Sequence, residues 1–261
     1  MNEMIVPDYL KQYEGQPTGR EAVEGMDQAP RLQYLSVVQK MSETMEELGL
    51  GSVVLSPESS DGKPSILCTA GAPFHVTPLY CFPKFVLRRK KVTPGKTPQV
   101  AFSLSKNSQI ARACLPRKRA DRTIPDPSNA GEFLEYRTEY HYVMYVYEIE
   151  KCVMLTLSGG EEETHELWSK LITSRGNLPI YLGKYEASSG KHPLTYKHDQ
   201  SWHGLNFKNA ADPWSPQELI PEFKASMETF AQYVERSIAA EDAGNNTGTA
   251  LVVHEDADLP F

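Results

Sequence analysis

The chain has 261 residues, 40% of them hydrophobic, and 27 basic against 34 acidic side chains give a net charge of −7. That length carries one or two domains with an ordinary core, while 19 prolines and a mean hydropathy of −0.46 point to one globular body with polar appendages. No window reaches the roughly 18 apolar residues of a membrane span, and the start MNEMIVPDYLKQYEG lacks the basic and apolar regions of a signal peptide, so a cytoplasmic protein is expected.

Residues 1–29 are polar and Gly/Pro-punctuated and read as an arm, and the body is expected over 30–240. It opens with a strand at 31–35 and a helical stretch to Leu48, stopped by Gly49 and Gly51. Strand signals follow at 52–56, 65–68, 79–88 and 99–104, each closed by Gly, Pro or Asp-Gly. Many short strands in series predict a mainly β fold with helices (α+β), and an OB-like barrel enlarged by insertions is the expected architecture. The three prolines between Leu115 and Gly131 predict an extended loop. The run 135–157, dense in Tyr and Val, is too long for one typical strand and predicts a bent strand or two in succession.

A helix is predicted over 161–174 with Gly176 beyond its end, then strands at 179–185 and 192–196 and a loop holding Trp202. The last helix is predicted over 216–240, with Ser215 and Glu218 as a capping box and Leu219, Phe223, Met227, Phe230 and Val234 in one apolar stripe. That stripe packs on the barrel or on a neighbouring subunit of a homo-oligomer. Residues 241–261 read as a linker too polar to order itself, then an acidic tail. The four cysteines, Cys68, Cys81, Cys114 and Cys152, form no CxxC pair and read as buried thiols.

Charge is unevenly placed. Over residues 84–122 stand twelve cations against Asp121 alone: Lys84, Arg88, Arg89, Lys90, Lys91, Lys96, Lys106, Arg112, Arg117, Lys118, Arg119 and Arg122. Over 235–261 stand six acids against Arg236. A basic stretch on an acidic protein is how a polyanion site shows in sequence, because each cation on a phosphate releases a condensed counterion.

The ending Glu255-Asp256-Ala257-Asp258-Leu259-Pro260-Phe261 resembles the acidic C-terminal tip of bacterial-type single-stranded DNA-binding proteins. The start Val6-Pro7-Asp8-Tyr9-Leu10 and the Pro30-Arg31-Leu32 run are similar to bacteriophage proteins. The resemblance implies a phage-encoded protein that coats and protects single-stranded DNA during replication and recombination in the host cytoplasm. It also implies that Glu255, Asp256, Asp258, Leu259, Pro260 and Phe261 recruit replication and recombination proteins, the Phe entering an apolar pocket while a basic rim holds the acids. Such binding needs a positive groove and π-faces on which bases stack. The cations above supply the first, and Tyr140, Tyr142, Tyr145 and Trp202 are the expected platforms, with Tyr136, Tyr147 and Phe207 behind them. Alternation along a strand puts Tyr140 and Tyr142 on the face opposite Tyr145 and Tyr147, so one set is core.

No Walker A, GxSxG, HExxH or GxGxxG motif is present. His192, His198 and His203 with Asp199 match no metal-ligand spacing, and no cofactor, metal or catalytic residue is expected. A recombination mediator or annealing protein shares the tail and the charge pattern, and a metal-dependent nuclease would have to use scattered acids such as Asp126 and Glu135.

Overall fold

The computed structural model describes residues 32–39, 45–58, 62–90, 99–115, 122–127, 131–158, 162–176, 178–191 and 203–246. All described strands and helices belong to one compact unit within Gln33–Ala257. The expected arm 1–29, the strand expected at 192–196 and the acidic tail lie outside the described residues.

Among the described residues ten strands form one sheet: β1 (Gln33–Val37), β2 (Val53–Leu55), β3 (Ser65–Cys68), β4 (Pro73–Lys90), β5 (Gln99–Ser103), β6 (Thr123–Pro125), β7 (Phe133–Val146), β8 (Lys151–Ser158), β9 (Gly183–Lys191) and β10 (His203–Trp214). The helices are α1 (Met45–Leu48), α2 (Gln109–Cys114), α3 (Glu162–Thr173) and α4 (Ile220–Asn246). The fold is α+β and mostly strand, its sheet curled into a half-barrel in the order β10-β9-β4-β7-β8-β1-β2-β3, with β5 added to β4 and β6 to β7. Neighbours are antiparallel except β1 and β8.

The 18-residue β4 is the spine. It pairs with β9 over its first residues, with β5 over its last, and with β7 nearly throughout. Pro78 sits at the bulge between Pro78 and Tyr80, and Pro83 sits where β4 has left β9 and not yet met β5. A missing N–H is tolerated at a bulge or along an open edge, which is how one strand carries both prolines.

The run 135–157 resolves into β7 and β8 joined by the turn Tyr147–Glu150, where Glu150 takes φ 52. Alternation is strict: Tyr140, Tyr142, Met144 and Val146 face inward with Val153, Leu155 and Leu157. The Trp168 ring of α3 closes this core, stacked on Phe207 at 4.1 Å and edge-on to Tyr185 at 4.7 Å. On the outer face, Phe223 of α4 packs on Tyr145, with centroids 4.9 Å apart.

Where the curl brings its two sides together, Gln39 stands in for a strand. Its Nε2 donates to the His203 carbonyl at 2.6 Å and its Oε1 accepts from the His203 N–H at 3.1 Å. Gly51 has φ +81, and a Cβ there would lie 2.9 Å from the His203 ring, so this crossing needs glycine twice over.

Several expectations are corrected. His203–Trp214 is a strand, not a loop, and residues 180–182 are a 3-10 turn before β9 starts at Gly183. α2 and β6 lie in stretches for which no element, or only a loop, is expected. The Ser215 hydroxyl donates to the Tyr181 carbonyl instead of capping α4, which begins after a 3-10 turn at Gln217–Leu219. α4 runs on to Asn246, taking six residues from the expected linker.

All four thiols are free, Cys114 buried and the others half-buried. Burial pushes Cys81, Cys114 and Cys152 up to about 11. At pH 8 only about one in a thousand of such thiols is thiolate. Iodoacetamide is therefore expected to modify these three on the order of a hundredfold more slowly in the folded protein than in urea. Equal rates in mass spectrometry would show them to be open.

Candidate nucleic-acid interface

Beyond the half-barrel, β4 and β7 continue as a two-stranded ribbon, and β5 and β6 from the chain between them pair back on it. β5 pairs with residues 85–88 of β4, and β6 with residues 133–135 of β7. α2 is capped by Ser108, whose Oγ accepts from the Ala111 N–H at 3.0 Å. Phe85, Leu87, Ala101, Ile110, Ala111, Cys114 and Leu134 form a second small core there. The described part of the basic stretch thus lies in a folded extension of the sheet with its own packing.

The ribbon neutralises much of its own charge. Arg88 Nε and Nη2 donate to Glu139 Oε1 at 2.8 and 2.6 Å. Arg89 Nε donates to Asp126 Oδ2 at 2.9 Å, with Glu132 at 3.4 Å. Lys84, 8% exposed, lies in register with Glu139 and places Nζ 4.4 Å from the centre of the Phe102 ring. Arg122 is half-buried, whereas Lys106 and Arg112 are exposed. The Lys90 side chain and Lys91, Lys96, Arg117, Lys118 and Arg119 lie outside the described residues, as do Trp202 and Glu255, Asp256, Asp258, Leu259, Pro260 and Phe261.

A polar network lies on the outer face of β4 and β7. Glu139 and His141 are both buried, with His141 Nε2 3.5 Å from Glu139 Oε2. Burial pushes Glu139 up, but His141 and Arg88 outweigh it and hold the carboxyl at about 2. Burial pushes His141 down against the pull of Glu139, with Lys84 and Arg88 adding to the downward shift.

The expected aromatic platforms are mostly packed. Tyr142, 1% exposed, holds its hydroxyl 2.7 Å from His165 Nδ1, and burial lowers the His165 pKa. Tyr140 lies flat against His165 at 3.4 Å. Tyr145, 7% exposed, is held by Phe223 and Tyr147. Tyr136 packs on the second core and Phe207 on Trp168. Neither Tyr142 nor Tyr145 offers an open ring to a base.

Two exposed aromatics were not singled out by sequence: Phe133, 46% exposed, opposite Lys90 and Pro125 on the ribbon, and Trp214, 49% exposed, with the Arg175 guanidinium on its ring. Phe133 could have been found as the aromatic that opens the long β run.

Asp126 and Glu135 are held by Arg89 and Arg137. Among the described residues no three His, Cys, Asp or Glu side chains converge on a metal position, and no helix is long and apolar enough to cross a membrane. Comparison with protein-family models, curated proteins and solved structures finds no match for this chain.

Proposed function

We propose that this chain binds and coats single-stranded DNA through an OB-like barrel and its basic insertion, and recruits replication or recombination proteins through residues 255–261. The observation that carries the reading is the order of pairing. β4, β7 and β8 form an antiparallel meander, α3 follows, β9 returns to pair with β4, and β10 pairs with β9. That path is compatible with a five-stranded OB barrel, in which β1 would be an extra strand beside β8, where the third and fifth strands of such a barrel approach each other.

In an OB barrel, the loops joining strands one to two and four to five flank the oligonucleotide face. Here the first corresponds to residues 91–132, with Lys106, Arg112 and the cations at 117–119, and the second to residues 192–202, with Trp202. Charge and an aromatic thus fall, in sequence, within the two connections that such a barrel uses. Phe133 joins them as a platform on the ribbon.

The test is a side-by-side titration of oligo(dT) and duplex DNA of equal length, at rising salt. Tighter binding of the single strand, falling steeply with salt, is expected. Equal affinity for the two, or no binding of either, overturns the reading.

A further inference from the structure

The insertion contains a loop built to hold an anion, and an acidic helix end occupies it. Glu241 of α4 places Oε2 2.5 Å from Ser103 Oγ, 3.0 Å from the Ser105 N–H and 3.1 Å from the Leu104 N–H, and its Oε1 3.0 Å from the Leu104 N–H. Asp242 adds Oδ1 as acceptor from Ser105 Oγ, and Oδ2 lies 3.4 Å from Asn107 Nδ2. Ser103 and Ser105 are buried, so these donors are fixed and turned away from bulk water. Consecutive backbone amides with a hydroxyl beside them are the donor set that proteins present to phosphate.

The occupant is weakly attached elsewhere. No described residue of α4 beyond Val234 is buried. The last turns read Ala239-Ala240-Glu241-Asp242-Ala243-Gly244-Asn245-Asn246, with Gly and Asn poor helix formers, two acids toward the negative end of the helix dipole and no cation in the final turn. Such a segment belongs to the low-stability end of a fold, and its docking rests chiefly on two carboxylates. Lys106 stands in the same loop and Arg112 follows in α2, both exposed, so a polyanion is drawn to the place the carboxylates fill.

We propose that loop 103–105 is a phosphate seat of the nucleic-acid face, and that residues 235–246 are a latch covering it until a polynucleotide phosphate replaces the Glu241 carboxylate. The latch rests on the reading of the insertion as a DNA-binding face. It differs from any action of the tail, because its acids are seated on named donors within the folded body.

The experiment uses the full chain, wild type and Glu241→Gln/Asp242→Asn, and follows amide hydrogen exchange over residues 235–246 alongside oligo(dT) affinity at about 50 mM salt. In the wild type, saturating oligo(dT) is expected to strip protection from 235–246. The double variant, its seat already open, is expected to bind oligo(dT) roughly threefold to tenfold tighter with its melting temperature little changed. Inorganic polyphosphate, a chain of phosphates without bases, forms a third arm. If oligo(dT) does not bind while polyphosphate frees 235–246, the latch stands and the DNA reading falls. If oligo(dT) binds and 235–246 stay protected, the DNA reading stands and the latch is overturned. If neither ligand changes protection, the latch is overturned whether or not the double variant folds.

Discussion

Replacing Lys106, Arg112, Arg117, Lys118 and Arg119 together by Gln is expected to weaken oligo(dT) binding by on the order of 3 kcal/mol, about a hundredfold in Kd, with no change in melting temperature. Each phosphate contact on a single strand contributes about 0.7 to the slope of log K against log salt, so five lost contacts flatten it by about 3 to 4. Lys106 and Arg112 are exposed, so their loss removes charge without opening the core. Arg88 and Arg89 would make poor substitutes, because their guanidinium groups hold the buried carboxylates of Glu139 and Asp126. Changing them disturbs the ribbon before it disturbs a ligand. Salt-dependent fluorescence titration checks the expectation, and a quintuple variant with wild-type affinity and slope would remove the insertion from the binding face.

That contrast shows how far sequence reading reaches here. A window over residues 84–122 counts twelve cations and one acid, but β7 returns along β4 and sets Glu139 opposite Lys84 and Glu135 opposite Arg88. The acids that neutralise Arg88 and Arg89 are Asp126, Glu132 and Glu139, all beyond the window, and only the folded chain brings them to these two cations. Spacing did fix the parity of the tyrosines, since side chains alternate along any strand, and Tyr140 and Tyr142 do oppose Tyr145. Period alone gives neither which face is core nor whether the other is free, and α4 covers Tyr145 from outside.

β10 is hard to read in sequence because, among the described strands, it pairs with β9 alone, carries Pro213 and breaks register between Asn209 and Trp214, leaving few apolar alternations. The end of α4 escaped for the opposite reason. Its composition is that of a linker, and the two carboxylates that order it find their donors more than 130 residues away in the chain.

Glu139→Gln is expected to cost the fold about 3 kcal/mol at pH 7, because breaking a buried ion pair from one side leaves the other charge uncompensated. Arg88 loses the oxygen that both its Nε and Nη2 hold, and His141 loses its facing charge. The pH profile gives the same quantity independently. With the folded carboxyl at about 2 against an ordinary 4.5, Glu139 contributes stability that is fully present above pH 4.5 and is lost as pH falls toward 2. That shift corresponds to on the order of 3 kcal/mol. His141, also held down in the fold, adds a loss on the acid side that begins below its ordinary 6.5. In urea melts the gap between wild type and Glu139→Gln should therefore be open at pH 7, persist to about pH 5, and narrow below pH 4.5 as Glu139 of the wild type takes up its proton. A gap that is absent at pH 7, or that does not narrow between pH 4.5 and 2.5, would mean that Arg88 and Glu139 meet on the ribbon without stabilising it.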